Sequence, residues 1–115
     1  MVEKETRECP RTLTGGRVRL TVVIGDGQLG GSSLQLDGKP LGPTGDITDE
    51  RIGTRAALHG KSLEVRTLVA DVNLQSNWAS VTYDLVGVDT AREVARHRVK
   101  TDGNAVLFCT TFHFA

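Results

Sequence analysis

The chain has 115 residues, and its 14 basic and 14 acidic side chains cancel to a formal charge of zero. That length supports one domain with its own core, without metal or disulfide staples. The hydrophobic share of 38% against 24% charged excludes a disordered chain. Zero net charge supplies no field toward nucleic acid or an anionic membrane, and no apolar run reaches the ~18 residues of a membrane span.

From the N-terminus, residues 1–16 read as an arm and lead-in, and residues 17–115 as a single domain. Met1–Glu8 is charged and lacks the apolar middle of an export signal. This favours the cytoplasm, with export followed by signal removal as the other reading. The first clear strand is Arg17–Ile24. Val18, Leu20, Val22 and Ile24 share one face and Arg17, Arg19 and Thr21 the other, the alternation of a half-buried antiparallel strand.

The segment Gly25-Asp26-Gly27-Gln28-Leu29-Gly30 then spells G-x-G-x-x-G directly after a strand. A dinucleotide loop needs its last glycines to open a helix, whose N-terminal amides hold the pyrophosphate. Here only about six residues precede the turn at Asp37-Gly38, against the ~10 or more of a crossover helix. The glycines are therefore expected to form a turn or bulge between two antiparallel strands, and no cofactor is expected.

A short strand follows around Ser33–Leu36, and Asp37-Gly38 is a hairpin signal. Leu41–Asp49 reads as a Gly/Pro/Asp-rich loop, with Ile47 and Ile52 pinning it to the core. Arg55–Leu58 and Ser62–Val72 read as strands, the second apolar on both faces. Trp78–Val88 is a further strand. Thr90-Ala91-Arg92-Glu93 matches a helical capping box, yet residues 91–100 also alternate, and the strand reading is favoured. Ala105–Phe114 places Val106, Phe108, Phe112 and Phe114 on one face, which is expected to pack on the core. Together these give an all-β fold: an antiparallel β-sandwich of about seven or eight strands, or else a partly open β-barrel.

Catalytic and metal chemistry find little support. Cys109 and His113 share a strand face but lie ~13 Å apart along it, too far to hold one zinc ion. No metal spacing motif and no nucleophile elbow occurs. Asp71, Asn73, Asn77, Asp84 and Asp89 lie near strand ends, where such residues commonly bond the backbone rather than calcium. Aromatic residues make up 4% of the chain, too few for base-stacking or sugar platforms. A bridge between Cys9 and Cys109 would close nearly the whole chain, worth up to ~4–5 kcal/mol, although two cysteines make a poor disulfide framework.

The surface candidates are a basic stripe of Arg92, Arg96, Arg98 and Lys100, with Arg17 and Arg19 joining it if the two strands are neighbours, and Trp78 beside a polar loop. Solvated, edge-protecting charge is the competing account of the stripe, and a core position is that of Trp78. The resulting expectation is a non-catalytic binding, accessory or assembly module that engages another protein through a sheet face or loops. A small-molecule-binding or enzymatic domain with a site converging from separate strands is the alternative, and a nucleic-acid-binding barrel the third. Homo-oligomers are compatible with the sequence.

Overall fold

Strand alternation, followed across the computed structural model of residues Met1–Ala115, sorts nine strands into two packed sheets. In chain order the elements are β1 (Val2–Arg11), β2 (Arg17–Ile24), β3 (Leu29–Leu36), β4 (Lys39–Gly45), β5 (Glu50–Thr54), α1 (Arg55–Leu58), β6 (Ser62–Ala70), β7 (Trp78–Val86), β8 (Arg92–Arg98) and β9 (Ala105–Phe114). The five-stranded sheet runs β1-β9-β6-β3-β4 and the four-stranded sheet β5-β2-β7-β8. This is an all-β sandwich, and no closed barrel forms. No helix is long and apolar enough to cross a membrane.

The core lies where the two inner faces meet. Val18 and Leu20 of β2, Val81, Tyr83 and Leu85 of β7, Leu63, Val65 and Val69 of β6, and Val106, Phe108 and Phe112 of β9 are all buried. Tyr83 meets Phe112 edge to face, with ring centroids 5.6 Å apart. A phenol inside a core needs partners. Thr110 Oγ1 donates to the Tyr83 hydroxyl at 2.8 Å, and burial pushes the Tyr83 pKa up to about 12. The phenylalanine face of β9 packs as its alternation predicts.

Several sequence expectations are corrected. The arm at residues 1–16 contains β1, which pairs in parallel with β9 over its full length, from Val2↔Ala105 to Arg11↔Phe114. Its inward side chains include Glu3, Glu5, Arg7 and Arg11, so an apolar alternation is missing even though the strand is regular. All other strand pairs are antiparallel. Arg55–Leu58 is a single helical turn capped by the Thr54 side chain, which accepts from Ala57 N–H. It buries Leu58 completely. Part of the expected loop at Leu41–Asp49 belongs to β4, an edge strand carrying Pro40 and Pro43. Residues 92–98, by contrast, form the strand that their alternation favoured.

No helix follows Gly30; the segment enters β3. Asp26 and Gly27 adopt positive φ of 59° and 71°, as a tight two-residue turn requires. The turn does not join paired neighbours, however: it carries the chain from β2 in one sheet to β3 in the other. Val18 and Leu20 behind it are buried, whereas Val22 and Ile24 are only half-buried. At Gly30 a Cβ would lie 2.0 Å from the Leu68 carbonyl oxygen, so this glycine permits the close approach of β3 to β6.

The Cys9–Cys109 bridge does not form, and both thiols are free and buried. The register explains why. Cys109 stands opposite Thr6, and Cys9 opposite Phe112. Three positions of offset place the two thiols on opposite faces of one sheet, where no disulfide geometry can join them.

Candidate interaction surfaces

The outer face of the four-stranded sheet carries most of the residues singled out by the sequence. Arg92, Arg96 and Arg98 do stand together on the outside of β8. Lys100 lies beyond the end of that strand, and its main-chain N–H donates to the Glu3 carboxylate. Arg17 and Arg19 belong to β2, and β7 separates them from β8. The single basic patch is therefore not formed. Acidic groups divide it further: Arg92 pairs with Asp84 at 3.1 Å, Arg19 with Asp49 at 3.1 Å and Arg96 with Asp26 at 3.4 Å. Arg17, Arg98 and Lys100 take part in no ion pair. Trp78 is no core cap. It lies on this outer face, 38% exposed, with the Arg96 guanidinium 4.3 Å from its ring centre, a cation–π contact.

The outer face of the five-stranded sheet is different in kind. Its register lines up Val2, Ala105, Ala70 and Leu29 in one cross-strand row, and Lys4, Leu107, Leu68 and Gly31 in the next. Val2, Leu29 and Leu68 are 56%, 67% and 48% exposed. A groove of about 390 Å³ borders these rows, lined in part by Arg66, Leu68 and Leu107. The sequence carried half of this signal, in the second apolar face of β6. It could not say that β3 and β9 place leucines beside it.

Farther along the same face, three strands assemble Ser62, His113 and Glu8. Ser62 Oγ lies 2.8 Å from His113 Nδ1, and His113 Nε2 lies 2.6 Å from Glu8 Oε2. The composition is that of a hydrolytic triad, but the setting lacks the rest of one. The Ser62 N–H is donated to Asp37 Oδ1 and cannot stabilise an oxyanion. Neither Ser62 nor His113 lines any of five surface depressions of about 280 to 530 Å³.

Between the sheets, β1 and β8 meet along a polar seam. His97 Nε2 is 2.9 Å from Glu3 Oε1 and its Nδ1 is 2.8 Å from Glu5 Oε2. Ionised carboxylates only accept, so both bonds require a proton on each ring nitrogen. The Glu3 bond is the main cause that raises the His97 pKa. In turn His97, then Asn104, holds Glu3 down to about 2. Farther along, Arg7 and Arg11 clasp Glu93 at 2.8 and 2.7 Å. Burial works to raise the Glu93 pKa, but bonds from Arg11, then Arg7, keep it below the usual carboxylate range. Cys9 is 3% exposed beside them. Burial first, and the Glu93 charge second, push its thiol up to about 11, which leaves it protonated and a poor nucleophile.

Gln28 is a further residue the sequence did not mark. Buried beneath the β2–β3 turn, its two amide hydrogens are shared among Asp71 Oδ1 and the carbonyls of Ser76 and Trp78. Its carbonyl accepts from the N–H groups of Val72 and Asn73, each at 2.8 Å. One side chain thus fixes the whole connection between β6 and β7. Asp71 is held by this amide and by Gly103 N–H, and no group of three metal-ligating side chains converges.

Comparison of the chain with models of protein families, with curated proteins and with solved structures finds no match.

Proposed function

We propose that this domain is a non-catalytic protein-binding module that engages its partner through the outer face of the five-stranded sheet. The observation that carries this reading is a pair of adjacent cross-strand rows, Val2–Ala105–Ala70–Leu29 and, next to Lys4, Leu107–Leu68, left open on the outer face of that sheet. Folded monomers seldom leave contiguous apolar surface uncovered, and where they do it commonly marks a contact with another macromolecule. The one Ser–His–Glu constellation on this face is exposed, and its Ser62 N–H is already bonded to Asp37.

A photo-activatable residue at Leu68, compared with one at Val23 on the opposite sheet, tests this in the native cellular setting. The expected result is a discrete adduct from position 68, to another protein or to a second copy, and none from position 23. Adducts from both positions alike, or none from 68, would overturn the reading.

A further inference from the structure

β8 is an edge of the four-stranded sheet, with β7 as its sole neighbour. Two bonds fix its phase: Val99 N–H donates to the Asn77 carbonyl at 2.6 Å and Leu85 N–H to the Ala91 carbonyl at 2.7 Å. Bonded pairs alternate in an antiparallel ladder, so the odd-numbered residues of β8 turn their main-chain groups to β7. Arg92, Val94, Arg96 and Arg98 turn theirs to the open side. These four residues also carry their side chains on the outer face, and all four are exposed.

The other edges are blunted. β4 contains Pro40 and Pro43, β1 contains Pro10, and β5 is five residues long with a register shift against β2. β8 has no proline and no shift over seven residues. Side chains of β1 bond the main chain just beyond its two ends, Arg11 Nε at the Thr90 carbonyl and Glu3 at the Lys100 N–H; between them its protection is charge, and charge protects selectively. A second copy of β8 would set arginine against arginine, which is unfavourable across strands. Carboxylates at the same positions would be attracted. Arg98 is in no ion pair, and Arg96, 52% exposed, reaches Asp26 only at 3.4 Å.

We propose that the open edge of β8 accepts an extended acidic peptide segment as an added strand. The ladder supplies main-chain bonds from Arg92, Val94, Arg96 and Arg98. Specificity comes from cross-strand pairing: a carboxylate opposite Arg98, another two residues on opposite Arg96, and an apolar side chain opposite Val94. Read antiparallel to β8, the partner's pattern is acid–x–acid–x–apolar. This edge is separate from the apolar face of the other sheet, and the two can fail independently.

The test uses the intact domain and a synthetic peptide of roughly eight residues, with glutamates alternating with threonines and a valine in register with Val94. A second peptide of the same composition groups its glutamates together. Trp78, beside Arg96 and Arg98, reports binding by fluorescence. The alternating peptide is expected to bind at least tenfold more tightly than the grouped one. An Arg96→Gln, Arg98→Gln double variant is expected to lose at least tenfold. Val94→Pro deletes an N–H that the fold does not use and should abolish binding; if that variant misfolds, a peptide N-methylated on its edge-facing amides makes the same deletion from the other side. Equal binding of the two peptides, or binding unaffected by loss of the main-chain donors, would reduce the effect to diffuse charge and overturn the proposal. So would failure of the alternating peptide to bind, whatever the outcome of crosslinking at Leu68.

Discussion

His97 Nε2 and Glu3 Oε1, 94 positions apart in sequence, lie 2.9 Å from each other and tie the first inward-facing residue of β1 to β8. Glu3 gathers further donors from Asn104 and from the Lys100 N–H. Beside its ladder with β9, the N-terminal strand is thus tied to β8 at its start by an imidazole bonded through both ring nitrogens.

That attachment sets a pH window. The raised His97 pKa means its contribution is complete below its ordinary value of 6.5 and is lost as pH rises through the folded value. Glu3 is depressed, so its contribution is present above its ordinary value of 4.5 and is lost as pH falls toward about 2. Amide exchange of residues 2–7, corrected for intrinsic rates, should quicken from pH 6 to pH 8.5. His97→Gln should remove most of that dependence, and an unchanged pH response in the variant would refute it.

Gln28→Ala should be among the more damaging substitutions at a polar position. It leaves the N–H groups of Val72 and Asn73 without their partner in a part-buried setting, at up to ~1–3 kcal/mol for each one that water does not reach. Urea unfolding should show a loss of about 2–4 kcal/mol, and exchange at residues 72–77 should accelerate even where the global fold survives.

Gly30→Ala separates the two meanings of the glycine-rich segment. Its Cβ would strike the Leu68 carbonyl oxygen, so the cost is one of strand packing, about 1–3 kcal/mol or more. Thermal denaturation is expected to show it. A fully stable Gly30→Ala protein would contradict the close β3–β6 approach.

Phe112 is fully buried, edge to face with Tyr83 and with the Arg11 guanidinium 5.4 Å from its ring centre. Phe112→Ala should cost ~3–5 kcal/mol, measured by chemical denaturation. A loss below 1 kcal/mol would place the ring outside the core.

Native protein should show neither thiol reacting rapidly with a disulfide reagent, and both reacting once unfolded, since Cys9 and Cys109 are free and buried. A single or absent thiol after denaturation in the absence of reductant would mean a bond that the register forbids.

What the sequence displayed best were strands with one apolar face. Val18, Leu20, Val22 and Ile24 on β2 and the phenylalanines of β9 declared both their element and their inward side. β1 was hidden because its inward residues are Glu3, Glu5, Arg7 and Arg11, satisfied by partners some ninety positions away; alternation of charge with charge has no visible period. α1 was misread because four residues are too few to show a helical repeat. The basic residues of β8 were legible as a stripe, but whether β2 joined them depended on strand order, and β7 came between. Gln28 gave no signal at all, since a lone glutamine acquires its role only from the loop folded over it.

The parallel pairing of β1 with β9 has a mechanical meaning. The first and last strands lie side by side and point the same way, so the start of β1 and the end of β9 lie at opposite ends of the pair. Tension applied through the two termini would slide these strands past one another, loading the ladder from Val2↔Ala105 to Arg11↔Phe114 all at once. Peeling would instead break such bonds singly. Strung between two tethered neighbours, this domain would resist being pulled apart as a shear clamp does.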